Sequence, residues 1–183
     1  QKDDRVLVIG ANGGVGSHLC QLLRERQVSK LVGVSESVKQ LLEAPISCDQ
    51  AIEYSKEDVF EMTEFINEPF DIIFDLHGGG FLRMGEKNIV KPASLGGLYV
   101  TITPDEPWYD VHSIWQGLQI FLLPGLWRAL KSRTWSRSKI PKYTYMLAIP
   151  MDSNEVVQKV FQFYEKGSLK AFLANNQAAI REE

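Results

Sequence analysis

Residues 10–16 read Gly-Ala-Asn-Gly-Gly-Val-Gly and follow directly on an apolar run, Arg5-Val-Leu-Val-Ile9. Glycine at such spacing permits a tight turn, lets the backbone approach a bulky anion, and lets the next helix lie close to the strand. From Gly14 onward the apolar period turns helical, with Val15, Leu19, Leu22 and Leu23 on one face. A helix starting there offers unpaired N–H groups and a partial positive charge to a phosphate. The chemistry indicated is capture of a dinucleotide pyrophosphate by Gly10, Asn12, Gly13, Gly14, Val15 and Gly16. The alternative is a tight turn without a ligand. The spacing is G-x-x-G-x-x-G, not the commoner G-x-G-x-x-G, and no Gly-Lys-Ser/Thr follows, which excludes a P-loop.

About 20 residues past the glycines, a fold of this kind that selects NAD places an acid at a strand end, on the ribose 2′-OH. Here the sequence reads Val34-Ser35-Glu36-Ser37-Val38-Lys39. If the strand ends at Val34, Ser35 takes the acid's position, and Ser35, Ser37 and Lys39 suit a 2′-phosphate, so NADP is expected over NAD. If Glu36 takes that position, NAD wins.

His18, His77 and His112, with Cys20 and Cys48, lack the spacing of a zinc site, and no metal is expected. His77 follows a buried strand where an active cleft would lie, as a ligand contact or as a turn residue. Asp75 ends the same strand and is expected to make a structural hydrogen bond. None of the tyrosines has Lys four residues on, which excludes the Tyr-x-x-x-Lys pair of short-chain dehydrogenases.

Strands must hold these residues. They are expected at Arg5–Gly10, Leu31–Val34, Gln50–Tyr54, Phe70–Leu76, Leu98–Thr103 and Tyr143–Ile149. Helices are expected at Gly14–Arg26, Val38–Glu43, Lys56–Ile66, Phe81–Asn88 and Asp152–Lys166, the last capped by Gly167. Alternation at this spacing implies an α/β fold, a doubly wound parallel sheet of the Rossmann type, in a single domain over 1–183. Residues 105–145 read as an irregular insert. Ile114–Leu130 is apolar but broken by Pro124-Gly125, too short for a confident membrane span. In the last helix Val156, Val157, Val160, Phe161 and Tyr164 share a face.

The 183 residues suffice for one sizeable core, and a net charge of −3 gives no reason to expect nucleic acid. Two cysteines favour a reducing, intracellular compartment, mitochondrial or cytoplasmic. Arg128, Lys131, Arg133, Arg137, Lys139 and Lys142 crowd among Trp127, Trp135 and Tyr143. That mixture is either a solvated face or a surface for anionic lipid or RNA, and membrane association is the weaker expectation. The apolar stretch Ile114–Leu126 needs cover, for which an oligomer interface is the natural candidate. The chain opens Gln1-Lys2-Asp3-Asp4 without a Met, so a preceding segment is expected.

In order, "RVLVIGANGGVG", "AIEYSKEDVFE", "FDIIFDLHGG" and "LGGLYVTITP" resemble the medium-chain dehydrogenases/reductases. The subgroup is the zinc-independent quinone oxidoreductases, and within it the chain is similar to the mitochondrial reticulon-interacting oxidoreductases. The resemblance covers residues 5–104 and returns at 152–173. It implies that Gly13 to Val15 hold the pyrophosphate, that Ser35 to Lys39 hold the adenosine ribose, and that Tyr54 lies near the 2′-phosphate. It implies that Leu76, His77, Gly78, Thr101, Ile102 and Thr103 border the nicotinamide. Family members are roughly twice as long, with a substrate domain ahead of this unit, so the chain by itself is expected to be inactive. The function expected is the NADPH-binding domain of a reductase of quinones or activated double bonds, and the resemblance implies an oligomer that pairs sheet edges. The alternatives are a non-catalytic Rossmann-fold assembly or membrane-associated subunit, and the enoyl-reductase module of a multi-domain synthase.

Overall fold

The computed structural model describes residues 3–83, 89–103, 110–134, 139–146 and 154–170. Its strands are β1 (Arg5–Ile9), β2 (Lys30–Ser35), β3 (Gln50–Glu53), β4 (Ile72–Asp75), β5 (Leu98–Thr101) and β6 (Lys142–Tyr145). They form one sheet in the order β3-β2-β1-β4-β5-β6, with every pairing parallel. This is the doubly wound order, and it reverses direction between β1 and β4.

β1 explains why both faces of the sheet are covered. Successive side chains point to opposite sides. Val6 and Val8 enter a core with Cys20, Leu31, Leu41 and Ile46, under α1 (Gly14–Glu25) and α2 (Val38–Leu42). Leu7 enters a second core with Val32, Ile52, Phe65, Phe70 and Tyr99. That side is covered by α3 (Thr63–Asn67), α4 (Gly80–Arg83) and α6 (Leu123–Arg133). Each fully buried large side chain contributes about 1.5–3 kcal/mol of transfer free energy.

Several expectations change in the structure. The stripe expected on α1 holds in part: Leu19 and Leu23 pack half-buried against the core, but the fully buried line is Gly16, Ser17, Cys20 and Gln21, and Val15 is exposed. The helix lies too close to the sheet for leucines on its inner line. A Cβ on Gly16 would sit 2.1 Å from the Gly10 carbonyl oxygen. The helix expected over Lys56–Ile66 is split. Asp58 accepts a hydrogen bond from the Phe60 N–H at 3.1 Å, which starts a 3₁₀ turn, Val59–Glu61, and Met62 is extended before α3 begins. A short polar side chain competing for backbone amides ends helices in this way.

Within the segment expected to be irregular, Ile114 to Arg133 is helical. α5 (Ile114–Gly117) runs through a π-helical turn, Leu118–Leu122, into α6, and Pro124 sits in the first turn of α6. Proline lacks an N–H and its ring crowds the preceding turn, and a π turn is a known way for a helix to absorb such a defect. The expected strand over Tyr143–Ile149 is β6, one residue earlier at its start, and 147–149 lie outside the described residues. The Phe81–Asn88 helix is described only as α4, since 84–88 also lie outside. In α7 (Asn154–Glu165), Val157, Val160, Phe161 and Tyr164, of the face expected from sequence, are exposed. Gly167, at φ 72°, follows the end of that helix as expected of a cap.

The two cysteines lie in the core beneath α1 and α2. The hydrogen bond to Cys48, reinforced by burial, pushes the Cys20 thiol up from its ordinary value. The same hydrogen bond pushes the Cys48 thiol down, so what shields both sulfurs from a reagent in solution is their burial. Neither cysteine is expected to react with Ellman's reagent until the chain is unfolded in urea. Rapid labelling of the native chain would mean that the packing of α1 and α2 on the sheet opens readily.

Candidate functional site

The carboxyl ends of β1, β2 and β4 open into a cleft of about 310 Å³, at the point where the strand order reverses. Open α/β sheets bind ligands at such a point. Gly10, Asn12, Ser35, Tyr54, His77 and Gly78 line the cleft, six of the residues expected from sequence.

Gly10 and Asn12 of the glycine loop form the first wall; the expected Gly13, Gly14, Val15 and Gly16 do not line the cleft. Gly10 has φ 83°, a left-handed conformation that a side chain would strain. Its N–H and that of Ala11 donate to the Val34 carbonyl at 3.0 and 3.1 Å, which ties the loop to the end of β2. Gly13 is the N-cap of α1 and has no side chain to cap it, and the first turn carries no acid. The N–H groups of Gly14, Val15 and Gly16 therefore have no intrahelical acceptor. A Cβ on Gly14 would meet nothing within 4 Å, one on Gly13 only the Gly10 oxygen at 3.4 Å. The loop is open above Gly14 and closed beneath Gly16.

The second wall is the end of β2. The strand extends to Ser35, one residue beyond the expected Val34. The Ser35 hydroxyl is buried; it donates to the Ser37 carbonyl at 2.9 Å and accepts from the Ser37 N–H at 3.0 Å. It closes a turn and is not presented to the cleft as a free donor. Glu36 is exposed and lines the cleft, as does the exposed Tyr54, whereas Ser37 and Lys39 do not line it.

The third wall is the turn after β4, and Asp75 organises it. Asp75 is buried, and its Oδ1 accepts from the N–H groups of His77 at 3.1 Å and Gly78 at 2.8 Å. Its Oδ2 accepts from the Gly80 N–H at 3.0 Å and the Tyr99 hydroxyl at 2.6 Å. The structural role expected of Asp75 is therefore what the structure has, and the exposed His77 is held at the cleft by the same turn. Leu76 packs behind it in the core. Thr101 is buried, with its hydroxyl donating to the Thr103 carbonyl at 3.0 Å, and neither threonine lines the cleft.

The wall missed from sequence comes from Asp58, Val59, Phe60 and Arg83, with Arg83 paired to Asp58. The signal was present in "SKEDVFE", where an Asp two residues before an aromatic marks a turn, but helical spacing masked it. His18 belongs to α1 outside the cleft, bonded to the Gly14 carbonyl and to the Tyr164 hydroxyl. Among the described residues, no three His, Cys, Asp or Glu gather as a metal would require.

No family model matches the chain. Over 99 residues, 54% of the chain, it is 35% identical to 2-methylene-furan-3-one reductase of Solanum lycopersicum, of which the match covers 23%. Over 101 residues, 55% of the chain, it is 32% identical to the mitochondrial NAD(P)H oxidoreductase RTN4IP1 of Homo sapiens, of which the match covers 24%. Its fold matches the Escherichia coli quinone oxidoreductase solved in complex with NADPH at a TM-score of 0.57 and 18% identity, over 96% of this chain and 49% of that one. The chain thus spans about a quarter of the curated relatives and half of the solved one. By fold the chain is similar over nearly its whole length to a solved quinone oxidoreductase, and over about half its length it is similar in sequence to the reductase and the oxidoreductase named above.

Proposed function

We propose that the cleft binds NADP(H) and that the chain is the cofactor unit of a zinc-independent reductase acting on quinones or activated double bonds. The observation that carries this reading is the helix N-terminus of α1, open above Gly14 at the reversal point of the sheet. The names of the relatives, NAD(P)H oxidoreductase among them, support it.

The residues present fit a dinucleotide. The space above Gly14 is what a pyrophosphate needs, and the amides of Gly14, Val15 and Gly16 suit its charge. Tyr54 offers an exposed ring beside the end of β2. The turn His77–Gly80, fixed by Asp75, suits the nicotinamide end. When bound, the cofactor supplies the hydride, and the chain's residues bind, orient and shield it.

NADP is favoured over NAD by Ser35. The loop amides reach the Val34 carbonyl, so the next residue stands where an NAD-selective fold carries its acid, and that residue has no charge. Glu36 is exposed and lines the cleft, and Lys39 is exposed outside its lining. The expected result is NADPH binding at least about tenfold tighter than NADH, roughly 1.4 kcal/mol. Ser35→Asp should erase that gap, and Glu36→Gln should widen it by removing a carboxylate from beside the 2′-phosphate. Dissociation constants for both cofactors, measured by dihydronicotinamide fluorescence, check this. Tighter binding of NADH by the wild type would make Glu36 the ribose acid and overturn the assignment.

A further inference from the structure

The dinucleotide reading leaves the helical stretch Ile114–Arg133 without a task. In α6 successive residues turn by about 100°, so Leu123, Leu126, Trp127 and Leu130 share one face. All four are more than half exposed. The opposite line holds Gly125 and Ser132, both buried, and the Ser132 hydroxyl accepts from the Tyr143 N–H at 3.0 Å in β6. The apolar stripe therefore points away from the protein. In α5, Ile114 and Trp115 extend it and are 84% and 76% exposed.

The charged residues of α6 itself, Arg128, Lys131 and Arg133, are all cations. Lys131 and Arg133 fall on either side of it and are exposed. Residues 111–146 contain six Lys or Arg and no Asp or Glu, in a chain whose net charge is −3. No helix among the described residues is long and apolar enough to cross a membrane. An apolar stripe with tryptophan, edged by cations, is the arrangement of a helix that lies in the plane of a lipid interface.

We propose that the outer face of α6, continued by α5, docks on the surface of an anionic lipid bilayer. Leu123, Leu126, Trp127 and Leu130 enter the boundary between headgroups and acyl chains, and Lys131 and Arg133 meet lipid phosphates. Charge selects this occupant over a second copy of the chain. A two-fold interface apposes the same patch on both copies. Such pairing would bring Lys131 and Arg133 of one copy near those of the other with no carboxylate on α6 to offset them, whereas an anionic leaflet attracts both.

The test is sedimentation of the chain with vesicles of phosphatidylcholine alone and of phosphatidylcholine with about 30 mol% phosphatidylserine, near physiological salt. The chain should sediment with the mixed vesicles, with tryptophan emission shifted to the blue, and stay in solution with phosphatidylcholine alone. Lys131→Glu combined with Arg133→Glu should lower partitioning at least about tenfold. Leu130→Ser should lower it with the circular dichroism unchanged, since the side chain is exposed. Absence of binding to the mixed vesicles overturns the proposal, as does equal binding to both compositions. A concentration-dependent dimer abolished by Leu130→Ser, without lipid binding, would assign the face to a second copy instead.

Discussion

Replacing Gly14 with aspartate should abolish NADPH binding while leaving the chain at least as stable as before. A side chain at this position meets nothing within 4 Å, so the fold tolerates it. An acid in the first turn of a helix is favourable, by about 0.3–1 kcal/mol. The same carboxylate would occupy the space and the charge site that a pyrophosphate requires, and the expected loss of affinity is at least about a hundredfold, ~2.7 kcal/mol. Gly16→Ala is the contrasting case. Its methyl would fall 2.1 Å from the Gly10 oxygen and 2.8 Å from the Ala11 Cα, both backbone atoms. That variant should lose stability along with binding. Titration with NADPH beside thermal unfolding separates the two outcomes. Wild-type affinity in Gly14→Asp would mean that no pyrophosphate lies over this helix.

Asp75→Ala should be the most destabilising polar substitution in the site. It strips the acceptor from three backbone N–H groups and the Tyr99 hydroxyl at once. Each buried donor left unsatisfied costs about 1–3 kcal/mol, softened by whatever water can reach the turn. A net loss of roughly 3–5 kcal/mol is expected, which lowers the unfolding midpoint by roughly 10 °C in a domain of this size. Asp75→Asn keeps the shape but turns an amide toward donors, and an intermediate loss is expected. NADPH affinity should fall in both, because the turn that carries His77 and Gly78 loses its shape. An unfolding midpoint unchanged in Asp75→Ala would show that the turn does not depend on the carboxylate.

The part of the site most legible in the sequence is the strand, loop and helix from Arg5 to Glu25. There Gly10, at positive φ, and Gly16, pressed against the Gly10 carbonyl, each answer to a separate steric demand. The innermost line of α1 was not legible. Amphipathic spacing pointed to Val15 and the leucines, but the closeness that Gly16 permits puts small residues against the sheet. The Asp58 wall was hidden for a related reason. The residues 56–66 have helical spacing, and a single side chain bonding the Phe60 amide outweighs it locally. Pro124 misled in the opposite direction, because proline reads as an interruption and the π turn before it lets the helix continue. At Ser35 the hydroxyl expected to face a 2′-phosphate is folded onto Ser37, a conformation that depends on the turn around it and leaves no trace in composition.

The parallel order of the sheet has a consequence for the nascent chain. β1 is the first of the six strands to be synthesised, yet it lies inside the sheet. Val6 pairs with Leu31 on one side and with Ile72 on the other. At about 5–20 residues per second, several seconds separate the emergence of these partners from the ribosome. Parallel strands have no hairpin with which to close early, and non-local pairing is slow. Throughout that interval β1 carries an apolar edge with no neighbour, which is the time when a chaperone that shelters extended apolar segments has most to hold.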